Sequence, residues 1–217
     1  HLYYLHIMLL VYAFLPLTRL VAERRHLTEY ALALWFLLGI LYPTVQNWWP
    51  FTLLRGIPRQ YLMNMTYASI GYTLLGRYVS VWGGAVCRGV WLAMALAGGL
   101  TAFFGSWQAS LAAGSLDLHL MEGMGVPMCL MATGVYGLCQ DARLPARAAA
   151  VTEYISRASF CVFLVHLFFL KTLAHFGVTA PMGPAAVTVP ALSPALRGCG
   201  CAAYAVLRRT PVVNRYL

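Results

Sequence analysis

Long apolar runs separated by short, arginine-bearing loops constrain this chain more than any other feature. A helix needs roughly 20 mostly apolar residues to cross the hydrocarbon of a bilayer, and about seven stretches come close to that length. They run from about 2 to 20, 27 to 42, 60 to 78, 84 to 104, 116 to 138, 154 to 176 and 186 to 207. The last is the weakest, because it carries Pro190, Pro194 and Arg197. Composition agrees with the runs: 61% of residues are hydrophobic and 10% charged, with a mean hydropathy of +0.70. Too little polar surface remains to wrap a water-soluble globule. The sequence therefore predicts an all-α, polytopic transmembrane helix bundle of about seven spans, forming a single membrane domain over residues 1–217.

Charge sets the predicted topology. The net charge of +9 is scattered singly between apolar runs and forms no basic patch, which argues against nucleic acid as a partner. Arg19, Arg24 and Arg25 follow the first span, Arg77 and Arg88 flank the third loop, and Arg143, Arg147 and Arg157 follow the fifth span. Arg208, Arg209 and Arg215 close the chain, whereas residues 105–115 and 177–185 hold no Lys or Arg. Arginine-rich short loops stay cytoplasmic, so the first residue is expected outside and the C-terminus inside. Arg55 and Arg59 break this alternation. An interfacial pair reaching to headgroups is one reading of them, contact with an acidic acceptor another. His1 stands directly against an apolar run, without the short core and leading positive charge of a signal peptide. The chain is therefore expected to continue upstream.

Polar groups inside apolar spans are costly, and each is a candidate for function. His166 is the sharpest, flanked on both sides by apolar residues in the sixth span. His1 and His6 open the first span, Asn64, Tyr67 and Tyr72 lie in the third, and Arg88 sits near the inner end of the fourth. His119 and Glu122 fall three apart, which would place them on one helical face near the outer end of the fifth span. No third ligand accompanies them, so no metal site is expected. The six cysteines make no staple pattern, and Cys199-Gly-Cys201 lacks the second pair that a metal site needs. There is no phosphate loop, GxSxG elbow or HExxH. Spacing alone leaves an intramembrane enzyme and a carrier both open.

Four segments carry a resemblance. His1-Leu2-Tyr3-Tyr4-Leu5, followed by Leu15-Pro16-Leu17, resembles the His-Leu-Trp-Phe-Leu … Leu-x-Pro opening of a middle helix in the acyltransferase type 3 family. Ile70-Gly71-Tyr72-Thr73-Leu74-Leu75-Gly76 is similar to that family's Gly-Tyr-Phe-Leu-Leu-Gly segment. The stretch from Ile155-Ser156-Arg157-Ala158-Ser159-Phe160 to His166 resembles its Ile-Ser-x-x-Ser-Phe-Gly-Ile-Tyr-Leu-Ile-His segment. Leu207-Arg208-Arg209-Thr210-Pro211 is similar to the basic end of its last helix. Cys161 stands for the family's glycine and Phe163 for its tyrosine, so no hydroxyl is available at 163.

The resemblance implies an integral-membrane enzyme of the bacterial inner membrane. It would move an acyl group, acetyl in the simplest case, from acyl-CoA to a hydroxyl of a surface carbohydrate or glycolipid. It also implies helices ahead of His1 that hold the family's catalytic histidine, so the principal catalytic residue here is unknown and activity of the fragment by itself is left open. Acyl-CoA is a co-substrate and no bound cofactor is expected. His1, Tyr72, Glu122 and His166 become candidate cavity-lining groups, and Arg55, Arg59 and Arg88 candidates for donor or acceptor binding. The rival reading is a permease for a small molecule such as an amino acid.

Overall fold

The structure, a computed structural model, describes residues 3–46, 48, 50–52, 65–140, 142–177 and 185–209. These residues form helices and turns, with no strand among them. Contacts divide the chain into two units, His1–Ala142 and Arg143–Leu217. The first holds α1 (Tyr3–Ala22), α2 (Arg25–Val45), α3 (Met65–Trp82), α4 (Arg88–Ala113) and α5 (Val126–Gln140). The second holds α6 (Ala146–His175) and α7 (Ala185–Leu207).

In α4, the helix faces are inverted relative to a soluble protein. Leu92, Leu96, Leu100, Phe104, Trp107 and Leu111 recur on one face and lie 49–72% exposed. The opposite face buries Trp91, Gly98, Ala102 and Ser106. A continuous apolar stripe of this kind is unfavourable in water and natural in lipid. Four helices of the described residues, Leu5–Ala22, Arg25–Val45, Arg88–Ala113 and Ala146–His175, are long and apolar enough to cross a membrane. The sequence predicts about seven spans, and four meet that standard. The 15 residues of α5 reach only about 22 Å, short of the roughly 30 Å of hydrocarbon.

Small residues set the crossing of α4 and α5. A Cβ on Gly134 would overlap the backbone of Ala95 and Trp91, and one on Gly98 would overlap that of Pro127 and Met131. Gly137 makes room for the Trp91 indole. Side-chain-free positions let apolar helices approach until their backbones touch. A Cβ on Gly99 would meet only the Met131 sulfur at 3.5 Å, an ordinary contact.

Several boundaries differ from those read in the sequence. The second span continues through Pro43 to Val45, and a wide π turn over Phe36–Leu41 precedes the proline. Pro43 has no N–H to donate one turn back, and widening the preceding turn is one way a helix accommodates that loss. The fourth span ends at Ala113 instead of about 104, where Gly114 adopts φ +65 and stops it. The fifth begins at Val126 instead of about 116. Asp117 caps a 3-10 turn over His119–Met121 by accepting the His119 N–H at 2.9 Å. Gly123 and Gly125 then delay helix formation until Pro127 stands in the first turn.

Thr44 joins the end of α2 to the start of α5. Its hydroxyl donates to the Ile40 carbonyl at 2.7 Å and accepts the Val126 N–H at 3.0 Å, with the residue 5% exposed. A helix-start N–H has no partner within its own helix. Thr44→Val keeps the shape but orphans that donor, and should cost about 1–3 kcal/mol. A lowered thermal midpoint of the detergent-solubilised protein would show it.

Among the described residues, the arginines of the first unit gather at one end. Arg25 pairs with Glu29 at 2.8 Å, and Glu29 also accepts the Tyr78 hydroxyl at 2.9 Å, which sets the start of α2 beside the end of α3. Gln140, at the end of α5, donates to the Ser80 carbonyl at 2.9 Å. At the opposite end lie the Thr44–Val126 link and the chain between α4 and α5. Antiparallel packing therefore segregates the charges that the sequence spreads over separate loops. In the second unit, Ala158, Cys161, Val162 and Val165 form one face of α6 and pack with Cys201 and Tyr204 of α7.

Candidate functional site

The end of the first unit that carries no arginine among the described residues holds a cavity of about 740 Å³. Gly105, Gln108, Ala109 and Ala112 line it from a single face of α4, because these spacings bring them round to the same side. Their small side chains leave the space, and Gln108 supplies an amide. Asp117, His119 and Leu120 close a second wall from the α4–α5 connection, and Trp48 a third. The Trp48 and His119 rings lie edge to face with centroids 6.5 Å apart. An aromatic plate beside an amide, a carboxylate and an imidazole suits a flat ring that carries hydroxyls.

An apolar groove of about 650 Å³ runs along the same stretch of α4, lined by Phe103, Trp107 and Leu111. Ser106 also lines it, and its buried hydroxyl has no hydrogen-bond partner among the described residues. At the arginine-bearing end, a third cavity of about 540 Å³ opens between α1 and α3 and is lined in part by Arg19 and Arg77.

The residues singled out in the sequence fall in different places. Tyr72 is half-buried, packs edge to face on Trp35 with centroids 4.9 Å apart, and donates its hydroxyl to the Gly123 carbonyl at 2.5 Å. Gly71 beside it leaves room for the Trp35 indole, whose Nε1 donates to the Ala68 carbonyl at 2.8 Å. The Gly-Tyr segment thus locks α3 to α2 and to the approach to α5. Glu122 is exposed, with extended backbone just past the 3-10 turn that holds His119. The two therefore do not share a helical face, which corrects the pairing read from their spacing. Arg88 is exposed at the first position of α4, on the arginine-bearing end. His1, Arg55, Arg59 and Asn64 lie outside the described residues.

His166 belongs to the second unit and is half-buried on α6. Its Nδ1 hydrogen-bonds the Phe163 carbonyl, and its ring lies against Phe163. A carbonyl oxygen carries no proton, so Nδ1 must be the donor. In the neutral ring, Nε2 then holds the free lone pair. That tautomer can take a proton or accept a hydrogen bond at Nε2.

Sequence reasoning misses Gln108, Asp117 and Trp48, and gives Arg19 and Arg77 only a place in the topology. Gln108 had a signal: a polar residue among small ones spaced along one helical face.

The exposed apolar stripe of α4 and the four helices long and apolar enough to cross a membrane define an integral-membrane helical protein. The acyltransferase type 3 family model, described as an acyltransferase domain, matches residues 1–203, and the chain belongs to that family. No curated protein and no solved structure matches it.

Proposed function

We propose that this protein moves an acyl group, acetyl in the simplest case, from acyl-CoA on the cytoplasmic side to a hydroxyl of a surface carbohydrate or glycolipid on the outer side. Family membership supports a membrane acyltransferase. The cavity under Trp48 is the observation that carries the acceptor side, because its aromatic and hydrogen-bonding lining suits a sugar. The arginine-bearing end faces the cytoplasm of a bacterial inner membrane, with α3 and α7 also crossing and the shorter α5 completing its passage through the chain that leads into it. His166 and His1 line the reaction space, Arg88 meets donor phosphates, and Arg55 or Arg59 meets an acidic acceptor. Tyr72 and Glu122 support the acceptor side.

An acceptor hydroxyl needs a group to take its proton, and the developing oxyanion needs a donor. Trp48→Ala should raise the acceptor KM roughly two- to ten-fold, the worth of one aromatic contact, with the acyl-CoA KM unchanged. Steady-state kinetics on the full-length enzyme, with product identified by mass spectrometry, checks this. Uptake of a labelled small molecule without any acylated product would favour a permease and contradict the proposal.

A further inference from the structure

The cavity between the C-terminal halves of α1 and α3 is lined by Thr18, Arg19 and Glu23 on one side and by Thr73 and Arg77 on the other. Arg25, at the same end, is neutralised by Glu29. Arg19 and Arg77 have no such partner: among the described residues neither makes an ion pair or a side-chain hydrogen bond. The two threonine hydroxyls are already committed, Thr18 donating to the Leu15 carbonyl at 3.0 Å and Thr73 to the Ile70 carbonyl at 2.7 Å. The two guanidiniums are therefore the free donors of the cavity, and they arrive from different helices. Arginine forks match phosphate oxygens in pairs, and two of them around one void outweigh the single carboxylate of Glu23. Arginines that only snorkel to the interface have no need of a shared void.

We propose that this cavity is a phosphoryl-binding subsite formed by Arg19 and Arg77. It rests on the reading above that this end faces the cytoplasm, where a coenzyme A donor presents its phosphates. A phospholipid headgroup offers the same chemistry, and the test separates the two sources.

Full-length protein in zwitterionic nanodiscs is titrated with coenzyme A, and separately its association with phosphatidylglycerol is measured. Arg19→Gln and Arg77→Gln should each weaken coenzyme A binding about ten-fold or more. Arg77→Lys should recover part of the loss, and Glu23→Gln should tighten binding. Arg24→Gln, at the same end but outside the cavity, should have a far smaller effect. Loss of phosphatidylglycerol association alone assigns the subsite to a headgroup and upholds it as phosphoryl-binding. Equal binding of both probes by wild type and arginine variants overturns the proposal, as does binding of neither probe by wild type. Acyl transfer is assayed in parallel. Transfer with arginine-independent coenzyme A binding sinks the subsite alone, whereas arginine-dependent binding without transfer sinks the acyltransferase reading alone.

Discussion

Replacing Gly134 by leucine is expected to leave little folded protein. A side chain there would drive into the backbone of Ala95 and Trp91, and backbone cannot rotate aside as a flexible side chain can. Overpacking typically costs about 1–3 kcal/mol when neighbours can shift, and more is expected here because they cannot. The cost falls on the crossing of α4 and α5, and α4 carries one wall of the Trp48 cavity. Gly76→Leu is the matched control, since a Cβ at Gly76 meets nothing within 4 Å. Size-exclusion profiles in detergent should show a monodisperse peak for Gly76→Leu and aggregation or loss for Gly134→Leu. Equal behaviour of the two would mean that the α4–α5 crossing is not as close as described.

His166→Ala should lower acyl transfer by the full-length enzyme about 10- to 100-fold, the worth of one hydrogen bond of about 1.5–3 kcal/mol to a group that charges during reaction. The Phe163 carbonyl fixes Nδ1 as the protonated nitrogen and so presents the Nε2 lone pair. The ring adds little to the seam of α6 with α7, which Ala158, Cys161 and Tyr204 make. The thermal midpoint should therefore hardly move while turnover falls. Unchanged turnover at normal expression would assign the ring to helix packing.

Helix existence was legible in this sequence because about 20-residue apolar runs have few other fates. Helix ends were less legible. Hydropathy runs through Leu116 to Leu138 almost without a break, so the stop at Gly114 and the restart at Val126 depend on local hydrogen bonds at Asp117 and on two glycines. The same cause hid the true relation of His119 and Glu122: three residues apart means one face only inside a helix. Pro43 misled in the opposite direction, because a π turn lets the helix continue through it. The gathering of the described arginines of the first unit at one end was legible from loop charge, although Arg55 and Arg59 break that alternation in the sequence. The cavities were not, because a void depends on which small residues face each other across helices. Gln108 with Gly105, Ala109 and Ala112 shows this: the spacing is visible in the sequence, but the facing wall of Asp117 and Trp48 is not.

Acylation of a sugar hydroxyl across the bilayer is the claim on which the functional account turns. Inverted inner-membrane vesicles bearing the full-length protein expose the cytoplasmic face, and radiolabelled acetyl-CoA supplied to that face tests it directly. Label is expected in luminal saccharide as an ester that mild alkali removes, only when the protein is present. Label that stays in the donor pool, or that enters the lumen without forming an ester, would contradict it.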